Sequence, residues 1–216
     1  MRLDVGIAQL ELHGEDRALV NLDLSLFGVL DGLGGHPGGA EAADMAARTV
    51  EAYCQGKEPA LETLAHAIIA ANTALTAAKA DNQLVGYTTA TVCWLAPGHL
   101  HWVSVGDSRI YRQPSGWRLM LLSRDEGHRN ILDNCLGDDY EFKGLHQRLT
   151  LKVATGDRVV LVTDGVTGDF KPDLLYAADL EAAITGRDAQ TAAEQLIAIA
   201  KKEDDRTAIV IDVLEF

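Results

Sequence analysis

The chain has 216 residues, of which 47% are hydrophobic and 24% are charged, a composition typical of one globular domain with a sizeable core. The formal net charge of −13 argues against nucleic acid and anionic membrane as partners, because both would be repelled. No apolar stretch is long enough to span a bilayer, and the N-terminus lacks the apolar segment of a signal peptide.

The first 80 residues predict three β-strands followed by two α-helices. Short apolar or alternating stretches between polar turns indicate the strands. Alanine- and leucine-rich stripes at helical spacing indicate the helices, and Pro59 stands near the start of the second one. The predicted strands are 5–12, 18–24 and 25–31, and the predicted helices are 39–56 and 58–80.

The middle of the chain returns to strand character, with β-branched and aromatic runs separated by Pro- and Gly-containing turns. This pattern is typical of a meander of hairpins. A short helix closed by Gly137 is predicted over 129–137. Residues 147–153 and 158–165 are predicted to pair as a further hairpin. The runs of the meander are 87–96, 100–107, 109–113 and 117–122.

Two more helices, 173–186 and 188–202, and a final strand, 206–216, complete the predicted elements. Strands and helices do not alternate one for one, which argues against a parallel doubly wound sheet. The order favours an α+β fold in which helices are layered outside antiparallel sheets.

The three cysteines, Cys54, Cys93 and Cys135, are odd in number and far apart in the sequence. Their spacing fits buried thiols in a reducing compartment and matches no metal-binding motif. We therefore expect a cytoplasmic protein.

Acidic residues flank apolar strands at five places in the chain. Any one of them is explained as an ordinary turn or strand end, but five together favour a shared purpose. Hard cations such as Mg²⁺ and Mn²⁺ take oxygen ligands, which carboxylates supply. A glycine such as Gly32, directly after Asp31, allows the backbone to approach an ion closely. The acidic residues are Glu15 with Asp16, Asp31, Asp107, Asp164, and Asp204 with Asp205.

Five segments, four of which contain these acids, occur in the order of a known family: VLDGLGGH, YTTATVCWL, VSVGDSRIY, LVTDGVTGDF and DDRTAIVIDV. The sequence resembles the metal-dependent Ser/Thr protein phosphatases of type 2C, in their compact bacterial form, from about Asp4 to Val213. The resemblance implies a four-layer αββα sandwich, in which two packed antiparallel sheets are flanked by helices. It implies a single such domain over 1–216.

The resemblance also implies a pair of Mn²⁺ or Mg²⁺ ions between the sheets. By position, Asp31 would bridge both ions. Asp164 and Asp204 would complete the protein ligands of the first ion. Glu15 and the carbonyl of Gly32 would complete those of the second.

Asp16 would accept a hydrogen bond from metal-bound water, so the implied catalytic residues are Asp31, Asp164 and Asp16. A hydroxide bridging the two ions would attack phosphorus in line with the leaving serine or threonine oxygen. Asp107 would be a ligand of a possible third ion. The alternative for Asp107 is a conformational role, in which it ties a turn.

The sequence departs from the family pattern at the position of the arginine that grips the substrate phosphate, where it has Glu11. Arg17 and Arg109 are close to the acidic motifs, but each is better explained as an ordinary surface or strand-edge arginine. Which residue replaces the family's arginine is left open.

Three further departures concern the surroundings of the site. Leu33 stands where animal enzymes often have a histidine, and His36 nearby is interpreted as a turn residue. Asp205 replaces the usual asparagine and adds a negative charge. The mobile flap of the family is predicted to be deleted near 125–129, which would open the site to larger or flatter substrates.

The leading hypothesis is a phosphatase that acts on phosphoserine and phosphothreonine in proteins, with a Ser/Thr kinase or its targets as partners in bacterial signalling. One alternative is a weak or inactive relative that binds phosphoproteins as a regulatory module. Another is a phosphatase for small phosphorylated metabolites.

Overall fold

The computed structural model describes residues 1–34, 37–81, 83, 85–128, 131–137 and 140–216. Its strands are β1 (Arg2–Leu10), β2 (Asp16–Asn21), β3 (Leu26–Asp31), β4 (Ala90–Ala96), β5 (His99–Val105), β6 (Arg109–Gln113), β7 (Met120–Leu121), β8 (Gly127–His128), β9 (Ile131–Leu132), β10 (Gln147–Lys152), β11 (Arg158–Val162) and β12 (Arg206–Glu215). Its helices are α1 (Gly39–Cys54), α2 (Leu61–Ala80), α3 (Asp164–Thr167), α4 (Ala177–Ile184) and α5 (Ala189–Ile199).

Ten of the strands form two five-stranded sheets. Sheet 1 has the order β1-β12-β11-β6-β7, and sheet 2 has the order β10-β5-β4-β3-β2. Every neighbouring pair in both sheets is antiparallel. The strands β8 and β9 pair separately as a short ribbon.

The two sheets pack face to face, and helices cover both outer faces. Strand β3 contributes to two cores, because alternate residues of a strand face opposite sides of the sheet. Leu26 and Leu30 join the core beneath α1 and α2, whereas Phe27 and Val29 join the core between the sheets. On the other side, α4 and α5 cover sheet 1. The predicted α+β class and four-layer αββα sandwich are therefore confirmed.

The predicted hairpin of 147–153 with 158–165 is wrong. Strand β10 pairs with β5 in sheet 2, whereas β11 lies between β6 and β12 in sheet 1. The turn between them therefore crosses from one sheet to the other. The predicted meander is interrupted in the same way between β5 and β6, so that its two hairpins, β4–β5 and β6–β7, lie in different sheets.

The helix predicted over 129–137 is also wrong for residues 131–137. Arg129 and Asn130 lie outside the described residues. Ile131–Leu132 form β9 instead. The buried side chain of Asn134 donates to Glu126 Oε2 at 2.7 Å and to the carbonyl of Gly144 at 2.9 Å, which ties down this loop. None of the described helices has the length and hydropathy of a bilayer-spanning segment.

Candidate metal centre

Four of the predicted acidic residues line one cavity of about 290 Å³. Asp31 ends β3 and Asp107 follows β5, so both come from sheet 2. Asp164 follows β11 and Asp204 precedes β12, so both come from sheet 1. The cavity thus lies where strand ends of the two sheets meet. Its other lining residues are Gly32, Leu33, Gly34, Thr89, Leu132 and Lys202.

The backbone of Asp31 is held firmly at this edge. Its N–H donates to Thr89 Oγ1 at 3.0 Å, and its carbonyl accepts from Thr88 Oγ1 at 2.9 Å and from the N–H of Thr89 at 2.8 Å. Burial, and then the charges of Asp164 and Asp16, raise the pKa of the Asp31 carboxyl well above its usual value. The fold therefore places Asp31 where its ionised form is unfavourable unless a cation is bound nearby.

A second group of acids surrounds Asp164. One carboxylate oxygen each from Asp107, Asp164 and Asp169 lie within 4.8 Å of one another. Burial, followed by repulsion from Asp164, raises the pKa of Asp107 to about 8 and that of Asp169 to about 6. Asp164 Oδ1 is buried and has no hydrogen-bond partner in the described part of the chain. A buried, unpaired carboxylate oxygen beside two further acids fits the ligand preference of Mg²⁺ and Mn²⁺.

Two members of this cluster, Asp169 and Lys202, are not among the residues predicted from the sequence. The Lys202 ammonium contacts Asp164 and lies 3.0 Å from Asp169 Oδ2 and 2.9 Å from Asp204 Oδ2. Asp169 belongs to the segment LVTDGVTGDF, so an acid five residues after Asp164 was a usable signal. Lys202 carried no comparable signal, because its side chain reaches the acids only through the fold.

Asp16 does not line the cavity, and its side chain is buried. Its Oδ2 accepts from Thr163 Oγ1 and Thr207 Oγ1, each at 2.8 Å, and these threonines belong to sheet 1 or its edge. Oδ1 is buried and lacks a partner among the described residues. Burial raises the pKa of Asp16 to about 7, although both threonine hydroxyls act in the opposite direction.

Glu15 lies beside the glycine turn that follows β3. A Cβ atom added to Gly34 would lie 3.1 Å from Glu15 Oε2, and one added to Gly39 would lie 3.2 Å from Oε1. At Gly32 an added Cβ would lie 2.3 Å from the Gly39 carbonyl oxygen, so only glycine fits. Burial, only partly offset by His13, raises the pKa of Glu15.

Asp205 organises the loop that carries Glu15 and Asp16. Its Oδ1 accepts from the N–H groups of Leu12 at 2.5 Å and His13 at 2.7 Å. Its Oδ2 accepts from those of Glu15 at 2.5 Å and Asp16 at 3.3 Å. Burial would raise its pKa, but these donors prevail and lower it to about 2. The extra negative charge predicted for Asp205 is therefore satisfied by backbone donors.

Neither arginine considered from the sequence lines the cavity. Arg109 forms a two-point ion pair with Asp125, with Nε–Oδ1 and Nη2–Oδ2 distances of 2.8 and 2.6 Å. Arg17 donates to the carbonyls of Gly14 and Asp16. Within the described ranges, Lys202 is the cationic side chain that lines the cavity. Glu11 is exposed, and His36 lies outside the described residues.

The raised pKa values predict that the metal-free protein loses stability as the pH rises from about 4 to 8. In the folded chain, Asp16 and Asp107 have pKa values of about 7 and about 8, so both carboxyls keep their protons over most of this window. In the unfolded chain their pKa returns to the ordinary 3.8, so both protons are released. Stability then falls with pH, by about 6 kcal/mol or roughly 12–24 °C in Tm between pH 5 and 8, since each retained proton contributes about 1.4 kcal/mol per pH unit.

Thermal unfolding at pH 5 and pH 8, in chelator and in MgCl₂, measures this effect. Mg²⁺ replaces the protons, so its stabilisation is expected to be larger at pH 8. The Asp107→Asn variant is the control, because it should reduce the pH dependence in chelator. A Tm in chelator that is equal or higher at pH 8 contradicts the prediction.

Solved bacterial Ser/Thr phosphatases share this two-sheet architecture. The phosphatase PstP/Ppp of Mycobacterium tuberculosis matches with a TM-score of 0.80 and 22% identity, over 99% of each chain. The PstP catalytic domain in complex with two manganese ions matches with a TM-score of 0.79 and 23% identity, over 99% of this chain and 100% of that one. Stp1 of Staphylococcus aureus matches with a TM-score of 0.84 and 18% identity, over 100% and 96%. At these identities the similarity establishes the fold.

Residues 12–199 match the protein phosphatase 2C family. The chain belongs to this family, which confirms the resemblance found in the sequence. Membership makes the protein a metal-dependent phosphatase with Mn²⁺ or Mg²⁺ as its cofactor. No curated protein shows significant sequence similarity to the chain.

Proposed function

We propose that this protein hydrolyses phosphoserine and phosphothreonine in proteins, with two Mn²⁺ or Mg²⁺ ions held in the acidic cavity. Asp31 would contact both ions, Asp164 and Asp204 would complete one set of ligands, and Glu15 with the Gly32 carbonyl would complete the other. The observation that carries this proposal is the convergence of four strand-end carboxylates from two sheets on one cavity.

When bound, the two ions would lower the pKa of a water molecule and neutralise charge on the phosphoryl oxygens. The chain's own part is to orient the reacting groups. Asp16 is held through Oδ2 by two threonines, which leaves Oδ1 free to accept a hydrogen bond from a water molecule at the metal site. Asp205 fixes the backbone of Glu15 through a 2.5 Å hydrogen bond.

The position at which animal relatives often have a histidine is occupied by Leu33, which lines the cavity beside Leu132. Neither leucine can donate a proton, so the leaving oxygen would take its proton from another group, such as water. We propose that residues 1–216 form one phosphatase domain whose flap is deleted near 125–129. In the described part of this stretch, Asp125 is followed within two residues by β8, which leaves little room for a flap.

The proposed partners are phosphorylated proteins and, more specifically, a Ser/Thr kinase or the targets of that kinase. The burial of all three cysteines supports the proposed cytoplasmic location, because no thiol is displayed for pairing.

Hydrolysis of para-nitrophenyl phosphate tests the reaction. We expect turnover with added Mn²⁺ or Mg²⁺ and a loss of about 100-fold or more in excess chelator, since the metal supplies several kcal/mol of transition-state stabilisation. Readdition of metal should restore the rate. Full turnover in chelator, or none with metal, contradicts the proposal.

Substrate class is decided by comparing rates with matched substrates. Phosphothreonine and phosphoserine peptides are expected to be hydrolysed with higher kcat/KM than sugar or nucleotide phosphates. The reverse order would identify a phosphatase for small metabolites.

A further inference from the structure

The Lys202 ammonium contacts two of the three carboxylates in the group that could hold a metal ion. It contacts Asp164 and lies 3.0 Å from Asp169 Oδ2, and both acids belong to the group completed by Asp107. The Lys202 side chain is 19% exposed, so its charge is largely removed from water. Its ammonium forms ion pairs with three carboxylates, those of Asp164, Asp169 and Asp204.

The negative charge of the site exceeds what two divalent ions would neutralise, so a further cation is favourable there. Two divalent ions would neutralise only part of the negative charge around the cavity. Lys202 supplies a further positive charge without requiring a third ion. The carboxylates concerned are Glu15, Asp31, Asp107, Asp164, Asp169 and Asp204.

Asp169 allows Lys202 to stay in place when the metals bind. It is not among the proposed ligands of the two ions, and its side chain is only 8% exposed. With Asp164 and Asp204 serving as ligands of the ions, the Lys202–Asp169 pair would still hold the ammonium. A buried ion pair of this kind is costly to break by removing one partner.

We propose that Lys202 is a tethered substitute for a third metal ion at the group formed by Asp107, Asp164 and Asp169, so that the protein binds two ions per chain. The inference rests on the proposed two-ion centre. It assigns to Lys202 the role of limiting metal stoichiometry.

Equilibrium dialysis against Mn²⁺, with metal and protein quantified, tests the stoichiometry. We expect two ions per chain for the wild type and three for Lys202→Met and Lys202→Gln. Lys202→Arg keeps the charge and is expected to bind two. The matched control is Lys201→Met at the exposed neighbouring position, which should also bind two. Adding Asp169→Asn to Lys202→Met should remove the third ion again.

Circular dichroism before dialysis would check that each variant is folded. If Lys202→Met does not fold, Lys202→Gln provides the same test. Two ions in both neutral variants would overturn the inference while leaving the two-ion centre intact. If these neutral variants bind two ions and also have a raised KM for para-nitrophenyl phosphate, the inference is overturned and Lys202 is identified as a phosphate-binding residue. A wild type that binds no Mn²⁺ would reject the proposed function itself.

Discussion

Replacing Asp31 with asparagine is expected to lower Mn²⁺-dependent hydrolysis of para-nitrophenyl phosphate by about 10³-fold, or about 4 kcal/mol in the activation free energy. Asp31 is the proposed ligand of both ions, so losing its charge affects both. The backbone hydrogen bonds to Thr88 and Thr89 do not involve the carboxylate, so the fold should persist.

The same variant should be more stable than the wild type in chelator. The pKa of Asp31 is raised by burial and by Asp164 and Asp16, so its charge opposes folding when no cation is present. Thermal unfolding with and without Mn²⁺ measures this. The control is Asp23→Asn in an exposed turn, which should leave rate and Tm unchanged. Asp31→Asn activity above a tenth of the wild-type rate would show that Asp31 is not the shared ligand.

The Gly165→Ala substitution is expected to destabilise the protein by about 3–5 kcal/mol. A Cβ atom at Gly165 would lie 1.8 Å from the carbonyl oxygen of Asp205, a separation that no rotamer change can relieve. The backbone must then move between α3 and the start of β12. Because Asp164 and Asp204 flank this contact in the sequence, metal-dependent activity should fall as well. Urea unfolding measures the loss of stability.

The matched control is Gly98→Ala, in an open turn between β4 and β5. Gly98 has a φ of +76° and nothing lies within 4 Å of an added Cβ atom. Its substitution should cost only the strain of a left-handed backbone, about 1 kcal/mol. Equal costs at the two positions would show that the close approach at Gly165 does not exist in solution.

The acids at strand ends show what a local pattern predicts well. Asp31, Asp107 and Asp164 each follow an apolar strand, and the structure does bring them to one cavity with Asp204. Their roles as ligands stay proposals. Asp169 was overlooked because it lies beyond a strand end, on the far side of the short α3, where no strand pattern marks it.

Hydrophobic patterning by itself determined the long helices and strands, their order and the acids between them, because burial repeats at a regular spacing along consecutive residues. It was wrong for 129–137, where Ile131–Leu132 form a strand instead of a helix. It did not determine which sheet each strand joins. Backbone hydrogen bonds are the same for any strand pair, so β10 and β11 looked like a hairpin although the turn between them links two sheets. Only the tertiary structure decided that, and it also decided the place of Lys202, whose long side chain finds its carboxylate partners only once the two sheets have packed.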